Sequence, residues 1–524
     1  MIQTIVKSGE YYDSITLLQV AQGLSKLAGV EDAAVVMGTP ANKGILKDAE
    51  LLTPEAQAAS ADDLVIAVRV MSESMATAAL EQADALLKAS RAPKEGGSQA
   101  SGLGPPPKTV NAAATQLNGA NIALVSVTGR YATEVARDAL NQGLHVFLFS
   151  DNVSVEDEIA LKKLGRKKGL LVMGPDAGTA ILNGTALGFA NAVLSGPVGV
   201  VAASGTGLQA VTSQLARAGM GITQAIGTGG RDLSTDVGGM MTLEGIKALQ
   251  SDLATKVLLL VSKPPAPEVV EKVLAQVRSS DKPTVVCFLG SKAKTIRKAG
   301  GIHAATLEEA AALAAALARG ESTRSARSAL KERNQALKAQ AKTFRTRLKK
   351  KQRYFRGMFS GGTFCYESQL ILQKILDQDV VLSNAPVKKE HKIANANISE
   401  GHTAVDLGED EFTVGRLHPM LDPTLRNRRI LREAQDPETA IIFLDIVLGY
   451  GVHPDPAGAA VEAIQEAQVL LKEKKRDILF IASVCGTPDD PQDVVTQETT
   501  LEQAGVIVLP SNAAATRLAG YILS

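Results

Sequence analysis

The chain has 524 residues, with 56 Lys and Arg against 55 Asp and Glu and a formal net charge of +1. This length exceeds what one hydrophobic core serves, so we expect several domains. The balanced charge argues against binding to nucleic acid or to a membrane surface through the overall field. Three widely spaced cysteines, a start without an apolar signal core and the lack of an apolar run of about eighteen residues favour a cytoplasmic protein without disulfide bonds or membrane spans.

The amino-terminal stretch alternates between β-rich and amphipathic segments. The β-rich segments are residues 2–7, 32–37 and 63–70, and the amphipathic ones are residues 13–27 and 74–88. This alternation predicts a small α+β domain over residues 1–95. The residues around 91–107 are rich in Gly, Ser and Pro and predict a linker.

Buried-strand patterns and helix patterns alternate along most of the remaining chain. Residues 122–127, 145–149 and 169–175 are the first such strands, and they predict a Rossmann-like domain over residues 110–190. The same alternation over residues 191–318 and 357–524 predicts two flavodoxin-like domains, and their similar order favours an internal duplication. The expected fold class is therefore α/β, in several domains.

A basic segment separates the two flavodoxin-like domains. Between Arg324 and Arg356 there are thirteen Lys or Arg against the single acid Glu332, with no Pro or Gly until Gly357. This composition predicts a linker helix over residues 319–356. It is either a solvated connector or a docking surface for an acidic subunit or for nucleic acid, and the lack of an aromatic ladder makes nucleic acid the weaker choice.

Two short segments of small residues each follow a strand pattern and precede a helix pattern. They are Ser204-Gly205-Thr206-Gly207 and Ser360-Gly361-Gly362-Thr363. Unpaired amides at a helix start carry partial positive charge, so both segments are candidate anion sites for phosphate or carboxylate. A tight strand-to-helix turn needs the same small residues for packing alone, and that structural reading stays open for each segment taken singly.

Further candidate binding residues lie at the predicted carboxyl ends of strands, where open α/β sheets bind ligands. Gly174 and Asp176 belong to one such loop, and Asp406 and Gly408 belong to another. A carboxylate at the end of an apolar strand costs desolvation unless it is paired or serves a site. The other reading of Asp406 is a cap on the following helix.

The densest polar cluster lies between Gly415 and Arg428 and holds Arg416, His418 and Arg426. Arginine forks bind carboxylate and phosphate oxygens, and a histidine there serves as a proton donor or polarising group. The competing readings are packing for the arginines and a loop-capping role for His418. The sequence has neither a P-loop nor histidines at metal-ligand spacing, so we predict no metal site.

The run Met173-Gly174-Pro175-Asp176, with residues 198–206 after it, resembles the α subunit of succinyl-CoA synthetase where its CoA-binding and ligase domains join. This resemblance implies a CoA-binding type for residues 110–190 and a succinyl-CoA synthetase type for both flavodoxin-like domains. Over the whole chain, residues 37–43, 360–365 and 413–427 look like the FdrA family of acyl-CoA synthetase-like proteins.

The sequence departs from the synthetase at its phosphorylated histidine. That place reads Leu289-Gly290-Ser291-Lys292-Ala293 here, and the place of the glutamate that steadies the histidine reads Ser262-Lys263-Pro264-Pro265. There is also no ATP-grasp segment.

Resemblance to the FdrA family implies a subunit of oxamate carbamoyltransferase in allantoin breakdown, which acts with other subunits. The reaction so implied converts oxalurate and phosphate to oxamate and carbamoyl phosphate, with CoA left open as a cofactor. We assign anion binding to the two small-residue segments, and orientation or charge stabilisation of the substrate to Arg416, His418 and Arg426. The alternatives are a CoA ligase-like enzyme and a non-catalytic scaffold subunit.

Overall fold

A computed structural model describes residues 1–10, 12, 14–25, 27, 29–49, 51–91, 107–127, 129–377, 379–413 and 416–524. Most of the predicted linker, residues 92–106, lies outside the described residues. The chain forms two compact units: residues 1–105 with 410–418, here the amino-terminal unit, and residues 106–409 with 419–524, here the main unit. Among the described residues, no helix combines the length and the apolar character needed to cross a membrane.

The amino-terminal unit contains a three-stranded antiparallel sheet in the order β1-β3-β2. Successive side chains of a strand point to opposite faces, so β3 contributes side chains to two apolar clusters. Leu64, Ile66 and Val68 join one cluster, and Val65 and Ala67 join the other. Its elements are β1 (Ile2–Lys7), α1 (Ser14–Ser25), β2 (Val30–Met37), α2 (Pro40–Asp48), α3 (Pro54–Ala58), β3 (Leu64–Val70) and α4 (Glu73–Arg91).

The main unit begins with a three-stranded parallel sheet in the order β4-β5-β6. Its parallel strands joined by helices match the Rossmann-like pattern expected between residues 110 and 190. The elements are α5 (Val110–Gln116), β4 (Ile122–Val125), α6 (Gly129–Asn141), β5 (His145–Leu148), α7 (Val155–Lys168) and β6 (Val172–Met173).

A seven-stranded sheet follows, in the order β13-β12-β11-β9-β10-β7-β8. Its strands are parallel except for the hairpin of β7 and β8, and β7 pairs antiparallel with β10. This hairpin precedes residue 191, where we predicted the domain to begin, yet it belongs to this sheet. The elements are β7 (Thr179–Leu182), β8 (Thr185–Gly188), β9 (Ser195–Ala203), α8 (Gly205–Arg217), β10 (Ile222–Gly227), α9 (Met240–Ser251), β11 (Val257–Ser262), α10 (Pro267–Arg278), β12 (Thr284–Phe288), α11 (Ala293–Lys298), β13 (Ile302–His303) and α12 (Leu307–Ala318).

The basic helix, α13, spans Thr323–Arg345 and is shorter than the predicted 319–356. A six-stranded parallel sheet then follows in the order β15-β16-β14-β17-β18-β19. The elements are β14 (Tyr354–Phe359), α14 (Gly362–Leu376), β15 (Val381–Ser383), β16 (His402–Asp406), α16 (Thr424–Gln435), β17 (Thr439–Val447), α17 (Pro456–Glu473), β18 (Leu479–Cys485), α18 (Val494–Gln503), β19 (Ile507–Leu509) and α19 (Asn512–Leu523), while α15 (Asp410–Thr413), between β16 and α16, groups with the amino-terminal unit.

The two larger sheets of the main unit share one apolar core. A single cluster contains Leu208 and Val211 of α8, Phe364 of α14 and Phe443 of β17. In both sheets an interior strand, β9 or β14, leads directly into the helix that opens at a predicted small-residue segment. The α/β multi-domain fold class predicted from the sequence is confirmed.

Candidate functional site

The two small-residue segments meet at the starts of α8 and α14. Ser204 is the N-cap of α8, and its Oγ accepts a hydrogen bond from the Gly207 amide at 2.9 Å. The same Oγ lies 2.5 Å from Thr363 Oγ1, and the Thr363 amide donates to Thr206 Oγ1 at 3.4 Å. The sequence treats these segments as separate candidates, whereas the fold brings them into direct contact.

Two glycines permit this close approach. A methyl group added to Gly361 would lie 2.7 Å from Thr206 Cγ2, and one added to Gly362 would lie 2.3 Å from Asp406 Oδ2 and 3.3 Å from Lys263 Nζ. Side chains larger than glycine at either position would force the neighbouring groups apart. Both glycines are therefore required by contacts of the junction itself.

An internal carboxylate occupies the beginning of the second segment. The amides of Ser360 and Gly361 donate to Asp445 Oδ1 and Oδ2 at 2.7 and 2.8 Å, and Ser360 Oγ donates to Oδ1 at 3.0 Å. Asp445 is 1% exposed, and burial raises its pKa although Arg426 and these hydrogen bonds oppose the rise. We expected this turn to bind an external anion. Its first two amides instead bind the protein's own Asp445 carboxylate.

Arg426 lies behind that carboxylate. Its Nη1 donates to the Asp445 carbonyl oxygen at 2.8 Å and lies 3.8 Å from Asp445 Oδ1. The guanidinium is 3% exposed, and burial lowers its pKa while Asp445 opposes that change. Arg426 therefore acts on Asp445 directly, and its predicted role toward a substrate remains a prediction.

Asp406 ends β16 on the other side of the α14 start. Its Oδ1 accepts from the Gly408 amide at 3.0 Å, and its backbone amide donates to Asn384 Oδ1 at 2.9 Å. It is 2% exposed. Burial raises the pKa of Asp406 to about 7, Lys263 opposes the rise, and Glu409 and Asp445 add to it. A carboxyl group with this pKa can hold or release a proton near neutral pH.

Lys263 is the residue of this junction that sequence analysis did not select as a site residue. It directly follows β11, so it lies at the same sheet edge as the start of α8. Its ammonium reaches the Gly362–Asp406 contact. Its position in the sequence could have indicated a role in the site, because this lysine lies in the segment where succinyl-CoA synthetase has a glutamate.

The loop that holds Gly174 and Asp176 reaches the α8 start from the Rossmann-like sheet. Gly174 precedes Pro175 just after β6, and Asp176 is exposed, with its amide donating to Ser150 O at 3.1 Å. A methyl group added to Gly178, two residues on, would lie 3.8 Å from Gly205 Cα. The loop therefore flanks the first small-residue segment.

Arg416 and His418 belong to the segment that groups with the amino-terminal unit. Arg416 is exposed, and its amide donates to Thr413 O at 3.0 Å. Burial lowers the pKa of His418 to about 4. The imidazole is consequently neutral at physiological pH, which favours the polarising role over the proton-donor role.

Comparison with known proteins gives the family. Residues 1–102 match the "AllF, heavy metal-associated domain" family, 195–290 match the CoA binding domain family and 358–522 match the CoA-ligase family. The chain is 41% identical over 512 residues to the uncharacterized protein YahF of Escherichia coli K12, covering 98% of this chain and 96% of that protein. The chain belongs to the YahF family. This member of the YahF family thus combines matches to an AllF-type amino-terminal domain, a CoA-binding domain and a CoA-ligase domain.

More distant relatives share only part of the YahF-type chain. A succinate–CoA ligase α subunit of Archaeoglobus fulgidus is 28% identical over 212 residues, which cover 40% of this chain and 70% of that subunit. A dinucleotide-forming acetyl-coenzyme A synthetase of Candidatus Korarchaeum cryptofilum, solved with phosphate and ADP, is similar at 14% identity and a TM-score of 0.33, covering 77% of this chain and 82% of that one. The CoA-binding match covers β9 to β12, whereas we assigned the CoA-binding type to residues 110–190.

The description of the amino-terminal family mentions heavy metals, and the residues present do not fit one. Soft metals are held by thiolate and imidazole ligands, and residues 1–102 contain neither Cys nor His. Across the described parts of the chain, no three His, Cys, Asp or Glu side chains cluster in a way that could hold an ion. We therefore derive no metal chemistry for this domain.

Proposed function

We propose that this chain is a subunit of a carbamoyltransferase that interconverts oxalurate plus phosphate with oxamate plus carbamoyl phosphate. The observation that carries the proposal is the junction of the α8 and α14 starts, with Lys263 and Asp406 beside it. Both substrates are anions, and the junction combines helix-start amides with an ammonium group.

The anion site is built from the first turns of the two helices. The amides of Gly205 and Thr206 in α8 and of Gly362 in α14 lie where a helix provides no backbone acceptor. Asp445 takes the preceding amides of Ser360 and Gly361, so the proposed phosphate lies one step further along α14, toward Lys263. The two helix dipoles and the ammonium then act on the same phosphate.

The reaction needs positioning and one proton transfer. A phosphate oxygen attacks the carbamoyl carbon, the bond from that carbon to the oxamate nitrogen breaks, and the nitrogen takes up the proton that hydrogen phosphate brought. With a pKa of about 7, Asp406 is suited to relay this proton in either direction. Amides and Lys263 stabilise the oxyanion that forms on the carbonyl, so no covalent enzyme intermediate is required.

The remaining predicted residues keep narrower roles in this proposal. For Arg416 and His418, which group with the amino-terminal unit, we keep the proposed roles in carboxylate binding, His418 as a neutral group, and assign them no place in the junction. Arg426 acts as a positioning residue through Asp445. The loops that contain Gly174, Asp176 and Gly408 form the edge of the proposed anion site. Other subunits complete the enzyme, and the allantoin pathway is its setting, in keeping with the AllF-type domain.

The test is turnover by Lys263 variants. Purified chain, alone and with the proteins encoded beside it, is given oxalurate and phosphate, and released carbamoyl phosphate is measured. We expect Lys263→Met to lower kcat/KM about a hundredfold, because a charge aimed at the reacting anion is lost. Lys263→Arg keeps part of the rate, and Lys272→Met, on the exposed face of α10, keeps all of it. CoA-dependent thioester formation without carbamoyl phosphate would overturn the proposal.

A CoA ligase is the second candidate, supported by the CoA-binding and CoA-ligase family matches. In that case the junction holds an acyl phosphate and CoA is a substrate. The place of the synthetase's phosphorylated histidine here reads Leu289-Gly290-Ser291-Lys292, so the phosphoryl group needs another carrier. Trapping of an acyl hydroxamate that depends on CoA and ATP distinguishes this candidate. Unchanged turnover in Lys263→Met and in Arg416→Ala would instead favour a scaffold subunit.

A further inference from the structure

A polar groove lies on the main unit between α12, α13 and α19. Its volume is about 420 Å³. Glu308 and Glu309 line part of it. Four cationic side chains and one aromatic ring also line it, namely Arg327, Lys331, Lys338, Arg517 and Tyr521. The groove belongs to neither the helix junction nor the reaction proposed for it.

The cations of the groove continue as a stripe along α13. Arg324, Lys331, Lys338 and Lys342 are exposed and recur at spacings of seven and four residues, which places them on one helix face. Leu337 and Ala341 lie beside this face and are buried. From Arg324 to Lys342 the stripe, hereafter the basic stripe, measures about 27 Å at 1.5 Å per residue.

The two acids that line the groove have cationic partners, and Glu332 of α13 accepts a hydrogen bond from the Ser328 hydroxyl at 3.1 Å. Glu308 pairs with Arg333 and lies 3.6 Å from Arg517, and Glu309 lies 2.8 Å from Arg327. Within the described residues, Lys331, Lys338 and Lys342 have no carboxylate in salt-bridge range. Lys338 instead lies 5.9 Å from the Tyr521 ring centroid. The stripe therefore presents positive charge without carboxylate partners on a helix that is anchored by the buried Leu337 and Ala341.

We infer that the basic stripe binds an acidic segment of a partner protein. The stripe is too long for one small anion, and its charge is set along a rigid element that an extended or helical acidic chain can follow. Single-stranded nucleic acid needs successive aromatic platforms for its bases, and Tyr521 is the one ring that lines the groove in the part of the chain described. Exposed ion pairs are individually weak, so the interaction depends on several cations at once and on ionic strength.

The experiment uses the full chain and a fluorescein-labelled peptide of about ten glutamates, long enough in extended form to follow the stripe. Binding is measured by fluorescence anisotropy at about 50 mM and about 300 mM salt. We expect Lys331→Glu/Lys338→Glu/Lys342→Glu to weaken binding at least roughly tenfold at low salt, and the corresponding Gln variant to weaken it less. Unchanged thermal unfolding of the Gln variant establishes that the fold is kept.

The matched control is Lys163→Glu/Arg166→Glu/Lys167→Glu, which reverses three exposed charges on α7. Equal losses in the two triple variants would mean a response to overall charge only, and would overturn the inference. Tighter binding of a single-stranded oligonucleotide than of the peptide, abolished by the same α13 changes, would also overturn it and identify nucleic acid as the ligand. These outcomes are independent of carbamoyl transfer, so they separate the stripe from the proposed reaction.

Discussion

Ser204 and Thr363 lie 2.5 Å apart through their hydroxyl oxygens, although 159 positions separate them in the chain. Each residue stands at the start of a helix that follows an interior strand of its own sheet. This contact holds the two helix starts in one place. The anion site that we propose for the main unit depends on this contact.

Substitution of Ser204 and Thr363 tests that coupling. Ser204→Ala removes both an N-cap and the contact, so we expect a loss of about 1 to 2 kcal/mol in the free energy of unfolding. In a double-mutant cycle with Thr363→Val, urea unfolding measures the loss in each variant. The loss in the double variant should be smaller than the sum of the two single losses by at least about 0.5 kcal/mol. Ser154→Ala, which removes the N-cap of α7, should lower stability without lowering turnover. Strict additivity in the cycle would contradict a direct contact.

Arg426 and Asp445 should respond as a buried charged pair. Arg426→Met leaves Asp445 without its cationic partner, so we expect a loss of about 3 kcal/mol in the free energy of unfolding. Adding Asp445→Asn should restore part of this loss, because neither charge is then left unpaired. Arg432→Met on the exposed face of α16 serves as the control and should change urea unfolding far less. A double variant with a lower free energy of unfolding than Arg426→Met would argue against the pairing.

The raised pKa of Asp406 predicts a pH dependence of stability. Its pKa is about 7 in the folded chain against the usual 3.8, so between these values the folded state binds the proton more tightly than the unfolded state. The free energy of unfolding should therefore fall as pH rises through this window, by at most about 1.4 kcal/mol per pH unit. The free energy of urea unfolding of Asp406→Asn should lack this pH dependence, whereas Glu271→Gln, on the exposed face of α10, should retain it. A wild-type chain that gains stability from pH 5 to about pH 7 relative to Asp406→Asn would refute the assignment.

His418 should give the opposite slope in the amino-terminal unit. Burial lowers its pKa to about 4 from the usual 6.5, so between these values the unfolded state binds the proton more tightly. Stability should fall as pH decreases through this window, and His418→Gln should reduce that fall. Thermal unfolding in buffers on both sides of the window measures the effect. If His418→Gln unfolds with the same pH dependence as the unmodified chain, the histidine is not buried in solution.

Sequence patterns predicted the helices and strands that carry the site better than they predicted its contacts. A strand before and a helix after each small-residue segment were expected, and β9, α8, β14 and α14 lie accordingly. Apolar periodicity and small residues at turns are local signals, and they survive without tertiary information. The basic helix ends at Arg345, short of the predicted residue 356, although the chain stays rich in cations up to β14; a run of cations therefore did not mark where the helix ends.

The contacts of the site required long-range information. Asp445 lies inside β17, where it accepts hydrogen bonds from the amides of Ser360 and Gly361 across neighbouring strands. Lys263 was noted only as a departure from a related enzyme, and its approach to Gly362 depends on the packing of two sheets. Nothing in the residues around either position signals these partners.

The sequence by itself determined the α/β class, the interior strands and the small-residue turns after β9 and β14, because each depends on residues that are neighbours in the chain. Only the tertiary structure decided that the two turns touch and that the Asp445 carboxylate accepts the hydrogen bond from the Ser360 amide. It also decided that Lys263 and Asp406 both lie beside Gly362. The reason is physical. Side chains separated by tens to hundreds of residues meet through the packing of sheets and helices, and that packing is set by the whole core at once.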